Sequence, residues 1–184
     1  MNDNTIREES LRLQMITLLP RMRRFARGLA RDPDSADDLV QEACKHALER
    51  LDQFKEGTRI DSWLYRIIYT RWIDRLRRTK TRSTHLNLLA REHREAANDN
   101  GSANHVDTAI DVKGALAKLP EEHRAAILLI GLEGYSYAEA ATVLELPMGT
   151  VASRVARART MLAKMLTRKK GHLLQIDPKR KQRR

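Results

Sequence analysis

Leu11, Met15, Leu18, Leu19, Met22, Phe25, Ala26 and Leu29 recur at intervals of three and four, the spacing of one helix face. Pro20 falls inside that run, so this helix either kinks there or starts afresh with proline in its first turn. Arg31-Asp32-Pro33-Asp34-Ser35 reads as a break followed by a new start. Ser35 is the predicted cap, with Asp37 and Asp38 in the first turn, where the macrodipole favours carboxylates. Leu39, Ala43, Ala47 and Leu51 mark the inner face of this second helix. Lys55-Glu56-Gly57-Thr58 reads as a loop, and Asp61-Ser62 opens a third helix predicted from Trp63 to Arg78.

From Thr79 to about Thr108 the apolar face gives way to asparagines, charges and Gly101-Ser102, with Leu86, Leu88, Leu89 and Val106 the remaining packing candidates. Such a stretch lacks the apolar content to offset its ordering entropy and is expected to be a flexible tether with room for one short helix. Periodicity resumes near residues 107–111. Ile110, Leu116, Leu119, Ile127, Leu128 and Ile130 supply core positions over two helices divided at Pro120. Gly134 marks a turn, and Ser136-Tyr137-Ala138-Glu139 matches a capping box, a hydroxyl residue followed three later by glutamate. The short helix it starts, with Ala140, Ala141, Val143 and Leu144 as its apolar positions, stops at Leu146-Pro147. A last helix is predicted from Met148 to about Leu166, so the pair reads as a helix-turn-helix.

On a wheel advancing about 100° per residue, Val151, Val155, Ala158 and Leu162 share a narrow stripe, the expected buried side of the last helix. Thr150, Arg154 and Arg157 form a separate stripe with Ser153 beside it. Arginine can donate two hydrogen bonds to a guanine edge, and short hydroxyl side chains approach bases or phosphates, so this face suits a DNA major groove. Charge strengthens that reading. Lys and Arg number 35 against 24 Asp and Glu, a net of +11, and the C-terminus ends in KRKQRR. A polyanionic partner fits such an excess, although a terminal run of charge alone serves equally as a solvated tail. In the third helix Tyr65, Tyr69 and Trp72 repeat at helical spacing among Arg66, Arg71, Arg75, Arg77 and Arg78. Unpaired bases stack on aromatic rings while arginines hold the backbone. Some of these rings should instead be core, because Leu64, Ile67, Ile68 and Leu76 define an inner face that Trp72 continues; Trp63 and Trp72 are expected to be at least half buried.

Composition excludes several classes. Aromatics make up only 4% and β-branched runs are scarce, which favours an all-α fold. The apolar stretch 125–130 is far shorter than the ~20 residues a membrane helix needs, and the N-terminus has no apolar signal core, so a cytoplasmic protein without membrane attachment is expected. The single cysteine, Cys44, excludes an internal disulfide. Asp32, Asp34, Asp37, Asp38 and Glu42 resemble a hard-metal cluster of a nuclease. Helix capping explains them equally well, no second acidic cluster supports them, and the histidines are scattered. Neither an enzyme nor a cofactor or metal is therefore expected.

Certain residues also carry a family resemblance. The segment LPEEHRAAILLIGLEGYSYAEAATVLELPMGTVASRVARARTML resembles the second DNA-binding domain of bacterial extracytoplasmic-function sigma factors, above all in Leu119-Pro120, the GYSYAEAA run and the stretch from Pro147 to Arg159. Asp38-Leu39-Val40-Gln41-Glu42, Trp63-Leu64-Tyr65-Arg66-Ile67 and Asp74-Arg75-Leu76-Arg77-Arg78 resemble the first domain of the same family. The resemblance implies two small helical domains joined by a flexible linker: 1–80 for core polymerase and the -10 element, 81–107 as linker, and 108–168 for the -35 element, followed by a basic tail at 169–184. It assigns core polymerase binding to Asp38, Leu39, Gln41 and Glu42. Contacts to the -10 DNA fall to Arg59, Trp63, Tyr65, Arg66, Tyr69, Arg71 and Arg75, with the loop 54–60 forming a pocket for an extruded base. Contacts to the -35 element fall to Thr150, Ser153, Arg154, Arg157 and Arg159. Core RNA polymerase, promoter DNA and an anti-sigma factor are the implied partners, and the free chain is expected to be a monomer. The GYSYAEAA run leans toward the general-stress-response branch. Three positions depart from the pattern: Tyr69-Thr70 replaces a frequent Arg-Asn pair, Ala152 stands where a basic residue is common, and Cys44 stands where an aromatic is frequent. The competing reading is a helix-turn-helix regulator that acts without joining polymerase; it leaves the first three helices unexplained.

Overall fold

Helices account for every regular element among the residues the computed structural model describes, 3–30, 32–55, 57–89 and 108–174. Helix α1 spans Asp3–Leu29, α2 Pro33–Leu48 and α3 Ile60–Leu89, with a single 3-10 turn at Leu51–Gln53 before α3. Helices α4 (Thr108–Ala117), α5 (Glu121–Gly131), α6 (Tyr137–Leu144) and α7 (Met148–Leu174) follow.

Local chemistry sets these boundaries. α1 passes Pro20 without ending there, and Pro20 itself is exposed. The cap of α2 is Asp32 rather than the expected Ser35. The Asp32 carboxylate accepts the Ser35 backbone N–H at 2.7 Å, and Pro33 enters the first turn with its φ already fixed. α3 starts at Ile60, before Trp63, and continues past Arg78. No proline or glycine intervenes before Leu89, and the Thr79 and Thr81 hydroxyls bond back to the Arg75 and Arg77 carbonyls at 2.9 and 3.0 Å. The first part of the expected tether is therefore helical, as an extension of α3 rather than a separate short helix; residues 90–107 lie outside the described residues. α7 likewise runs past Leu166 to Leu174, and the rest of the basic tail, 175–184, also lies outside them.

The core joins both halves of the chain. Phe25, Leu29, Leu39, Leu64 and Ile68 are fully buried among α1–α3, and Leu129, Val143, Val151, Val155 and Ala158 among α5–α7. Each of the larger side chains contributes about 1.5–3 kcal/mol by leaving water. The predicted inner stripe of α7 is thus the buried one, with Leu162 partly buried at its end. Of the core positions expected in α4 and α5, Leu119 and Leu128 are buried and Leu116, Ile127 and Ile130 are partly so. α5 packs on α1, and α6 packs on α3. At the first of these contacts Gly28 has no side chain to interpose: a Cβ there would meet the Leu128 methyl groups at 2.8 Å. Arg124, 2% exposed, donates across the same seam to the Leu29 carbonyl at 2.7 Å and, within its own half, to the Ala117 and Leu119 carbonyls at 2.9 Å each.

Candidate nucleic-acid interface

A groove of about 650 Å³ lies between the α2–α3 corner and α6, with Arg50, Lys55, Arg59, Trp63, Arg66 and Arg71 on one wall and Thr142, Val143 and Glu145 on the other. The loop before α3 shapes it. The Phe54 carbonyl is held by Arg7 at 2.7 Å, and its ring packs against Trp63 with centroids 5.4 Å apart. Trp63 is partly exposed, whereas Trp72 is buried. Arg50 and His46 are groove residues that no sequence motif marks, whereas Lys55 belongs to the 54–60 loop expected to form a pocket. His46 reaches the groove from the end of α2, and Arg50 and Lys55 from the turn that follows it.

The arginines of this wall are oriented by carboxylates. Arg59 forms a two-pronged pair with Asp61, at 3.1 and 2.7 Å, and stacks over the Tyr135 ring 4.9 Å from its centroid. The bond to Asp61 raises the Arg59 pKa further above its ordinary value. Burial alone pushes the Asp61 carboxyl up, but the bond and charge of Arg59, with the Ser62 N–H, hold it below the usual carboxylate range. Arg71 reaches the His46 Nδ1 at 2.5 Å. Burial, then the Arg71 and Arg50 charges, lowers the His46 pKa, so the neutral ring accepts this bond. Arg75 donates to Glu42 at 2.8 and 3.1 Å and to the Ser35 carbonyl at 3.2 Å, tying α3 to α2.

Two residues nominated from sequence lie in the core instead. Leu39 is 1% exposed, so it supports the α2 surface from inside, where Asp38 and Gln41 are exposed and Glu42 is half-buried. Tyr65 is also 1% exposed. Its ring sits edge-on to Phe25 at 4.9 Å and to Tyr135 at 5.7 Å, and its hydroxyl donates to Glu133 at 2.5 Å. Burial and then the Glu133 carboxylate raise its pKa. A ring so enclosed offers no face to a base in this arrangement.

The helix-turn-helix is built as its sequence predicts. The Ser136 hydroxyl accepts the Glu139 N–H at 3.2 Å, and the Glu139 carboxylate accepts the Ser136 N–H at 2.8 Å, the complete capping box. Those Ser136 bonds, with the Arg59 charge, hold the Glu139 carboxyl below its ordinary pKa. Glu145 ends α6 in the left-handed region, at φ 54° and ψ 47°. On α7, Ser153, Arg157 and Arg159 are exposed and Thr150 is half-buried, its carbonyl accepting the Ser153 hydroxyl at 2.9 Å. Arg154 differs from its neighbours: only 17% of its side chain is exposed, and it pairs with Glu122 at 2.7 Å.

Elsewhere, burial raises the Cys44 pKa, consistent with a thiol that fills core space. Among the described residues no group of three His, Cys, Asp or Glu is arranged to hold a metal ion, and no helix is long and apolar enough to cross a membrane.

Comparison with known proteins finds a match to Sigma-70 region 2 over residues 15–82 and to Sigma-70, region 4 over residues 110–162. The chain is 34% identical to the ECF RNA polymerase sigma factor EcfG of Rhodopseudomonas palustris, over 86% of each protein. It is 39% identical to the ECF RNA polymerase sigma factor SigM of Mycobacterium tuberculosis, over 79% of this chain and 71% of that one. Among solved structures, the sigma factor RpoE of Bartonella quintana, in complex with the anti-sigma factor NepR, superposes with a TM-score of 0.73 at 30% identity, covering 86% of this chain and 98% of that one.

Proposed function

This chain belongs to the extracytoplasmic-function sigma factors, which bind core RNA polymerase and direct transcription initiation at promoters, and from that premise we propose how its residues divide the work. Residues 1–80 engage polymerase and the -10 element, and 108–168 engage the -35 element. The exposed α2 face, with Asp38, Gln41 and Glu42, docks on polymerase. Arg59, Arg66 and Arg71 hold phosphates of the -10 strand while Trp63 meets an unpaired base, and capture of that base offsets the stacking lost on melting. Tyr69 flanks this track, Arg75 positions Glu42, and Tyr65 joins the track only if the two halves separate. On α7, Thr150, Ser153, Arg154, Arg157 and Arg159 read or clamp the -35 duplex.

The observation that carries this division is the groove, where five cationic side chains converge beside a partly exposed indole at the start of α3. Sigma factors are non-enzymatic initiation factors, and we assign this chain no catalytic role. Its place of action is the cytoplasm, where polymerase and promoters are. An anti-sigma factor is its proposed regulator, supported by the anti-sigma-bound state of the Bartonella relative, and the general-stress-response branch is the proposed setting. Purified chain mixed with core RNA polymerase should form a stable complex and give promoter-specific run-off transcripts. Specific binding of the free chain to duplex DNA with no association with polymerase would instead favour a stand-alone regulator.

A further inference from the structure

Four polar side chains form a small lattice where α2 packs against α3. Glu42 and His46 lie one turn apart on α2, and Arg71 and Arg75 lie one turn apart on α3. The Glu42 carboxylate is shared: it accepts two bonds from Arg75, at 2.8 and 3.1 Å, and stands 3.7 Å from Arg71. His46 completes the lattice, its Nδ1 accepting from the Arg71 guanidinium at 2.5 Å. An Nδ1 that accepts leaves the ring proton on Nε2, so the imidazole is neutral. Arg71 and His46 both line the groove, and 26% of the Arg71 side chain is exposed. The lattice is built entirely within the first half of the chain.

We propose that His46 is a positioning residue for the -10 strand: its neutral ring holds Arg71 ready for a backbone phosphate without cancelling the charge that binds it. The proposal rests on the assignment of Arg71 to that strand. Charge counting supports it. One carboxylate, Glu42, faces two guanidiniums, so this corner keeps one net positive charge, and the acceptor that His46 adds brings no charge of its own. Arg59 is held differently, by the Asp61 carboxylate at 2.7 Å, which fixes its direction but offsets its charge. A neutral acceptor thus gives Arg71 an orientation that a carboxylate gives only by competing with the phosphate. An arginine left unheld has several rotatable bonds to order when a phosphate arrives, and that ordering subtracts from affinity. The surroundings keep the ring in its accepting form. Burial, then the Arg71 and Arg50 charges, oppose a second proton, against the Glu49 and Glu42 carboxylates that favour one.

The test uses the full chain assembled with core RNA polymerase and a labelled oligothymidylate, with binding followed by fluorescence anisotropy over a range of salt. His46→Leu, which removes the acceptor, should weaken binding about three- to tenfold, the effect of having to order one freed arginine. The slope of log affinity against log salt should stay the same, because Arg71 keeps its charge and still meets its phosphate. His46→Ala carries the same expectation should His46→Leu fail to fold. Arg71→Ala should weaken binding and also reduce that slope by about 0.7, the loss of one phosphate contact to a single strand. His46→Gln, whose side-chain oxygen can accept in place of Nδ1, should bind within about twofold of the wild type. In the Arg71→Ala background His46→Leu should bring no further loss, a result that a general structural role for His46 would not produce. A His46→Leu variant that binds as tightly as the wild type, or that loses as much without Arg71 as with it, would overturn the positioning role and leave the strand assignment of Arg71 standing. So would a His46→Gln variant as weak as His46→Leu. If Arg71→Ala itself leaves affinity and slope unchanged, the strand assignment fails and the proposal falls with it.

Discussion

Arg154 and Arg157 are one turn apart on α7 and were read from sequence as equals, yet they sit in different surroundings. Arg154 is largely covered and paired, whereas Arg157 is exposed and forms no ion pair with another described residue. Arg157 is therefore the residue whose loss should report most directly on duplex contact. Arg157→Ala should reduce run-off transcription from promoters with an intact -35 element, by the ~1–3 kcal/mol of a good arginine–base contact. Unchanged selectivity between intact and scrambled -35 elements would remove Arg157 from the reading face. Tyr65 teaches the opposite lesson about single residues. Its aromatic–arginine context pointed to base stacking, but a helix position between Ile68 and Leu64 faces inward, and its hydroxyl finds its acceptor in Glu133. Nothing near Tyr65 in the sequence signals that partner, which lies far along the chain.

At the level of elements, the best-read signals were those that act within a few residues. The capping box of α6, the stop before Pro147 and the inner stripe of α7 all depend on neighbours one or two turns away, and each is present as expected. Ser136→Ala should lower stability by about 0.5–2 kcal/mol, because one orphan N–H of α6 loses its acceptor, whereas Ser136→Gly should cost only a few tenths. Thermal unfolding of the two variants checks this, and an alanine variant as stable as the wild type would deny the cap its role. Glu145 works against the same element, since a left-handed non-glycine residue costs roughly 1–2 kcal/mol. Helix ends depend on weaker signals. α3 and α7 continue where the apolar pattern fades: no proline or glycine interrupts α3 before Leu89, and arginine and lysine, good helix formers, carry α7 up to Gly171, which it passes. At α2, Pro33 drew the cap back from Ser35 to Asp32.

For the molecule as a whole, the seam between the halves is where titration should be felt. Tyr135 packs beside Tyr65 and under Arg59, and its hydroxyl accepts from Ser62 at 3.2 Å. Burial, with the nearby Asp61 charge opposing ionisation, pushes its pKa up to about 12. An unfolded phenol ionises near pH ~10, so the neutral ring favours the fold fully below that value. Its contribution, up to about 3 kcal/mol, is lost as pH climbs toward the folded pKa. Urea unfolding followed from neutral to alkaline pH should show this decline, and Tyr135→Phe should lessen it; identical profiles would mean that Tyr135 is not a coupled group. Local periodicity and short motifs were enough for an all-α chain, two helical modules, the helix-turn-helix and its buried stripe, and a family resemblance written in contiguous residues. Which of the candidate residues are accessible, and how the modules meet, depends on long-range packing. Burial of Leu39 and Tyr65, the grouping of Arg50 and Lys55 with Arg59, and the Glu133, Glu139 and Glu145 pairings all join residues distant in sequence. Such contacts depend on how helix faces dock, and helical spacing tells which face is apolar but not which partner covers it.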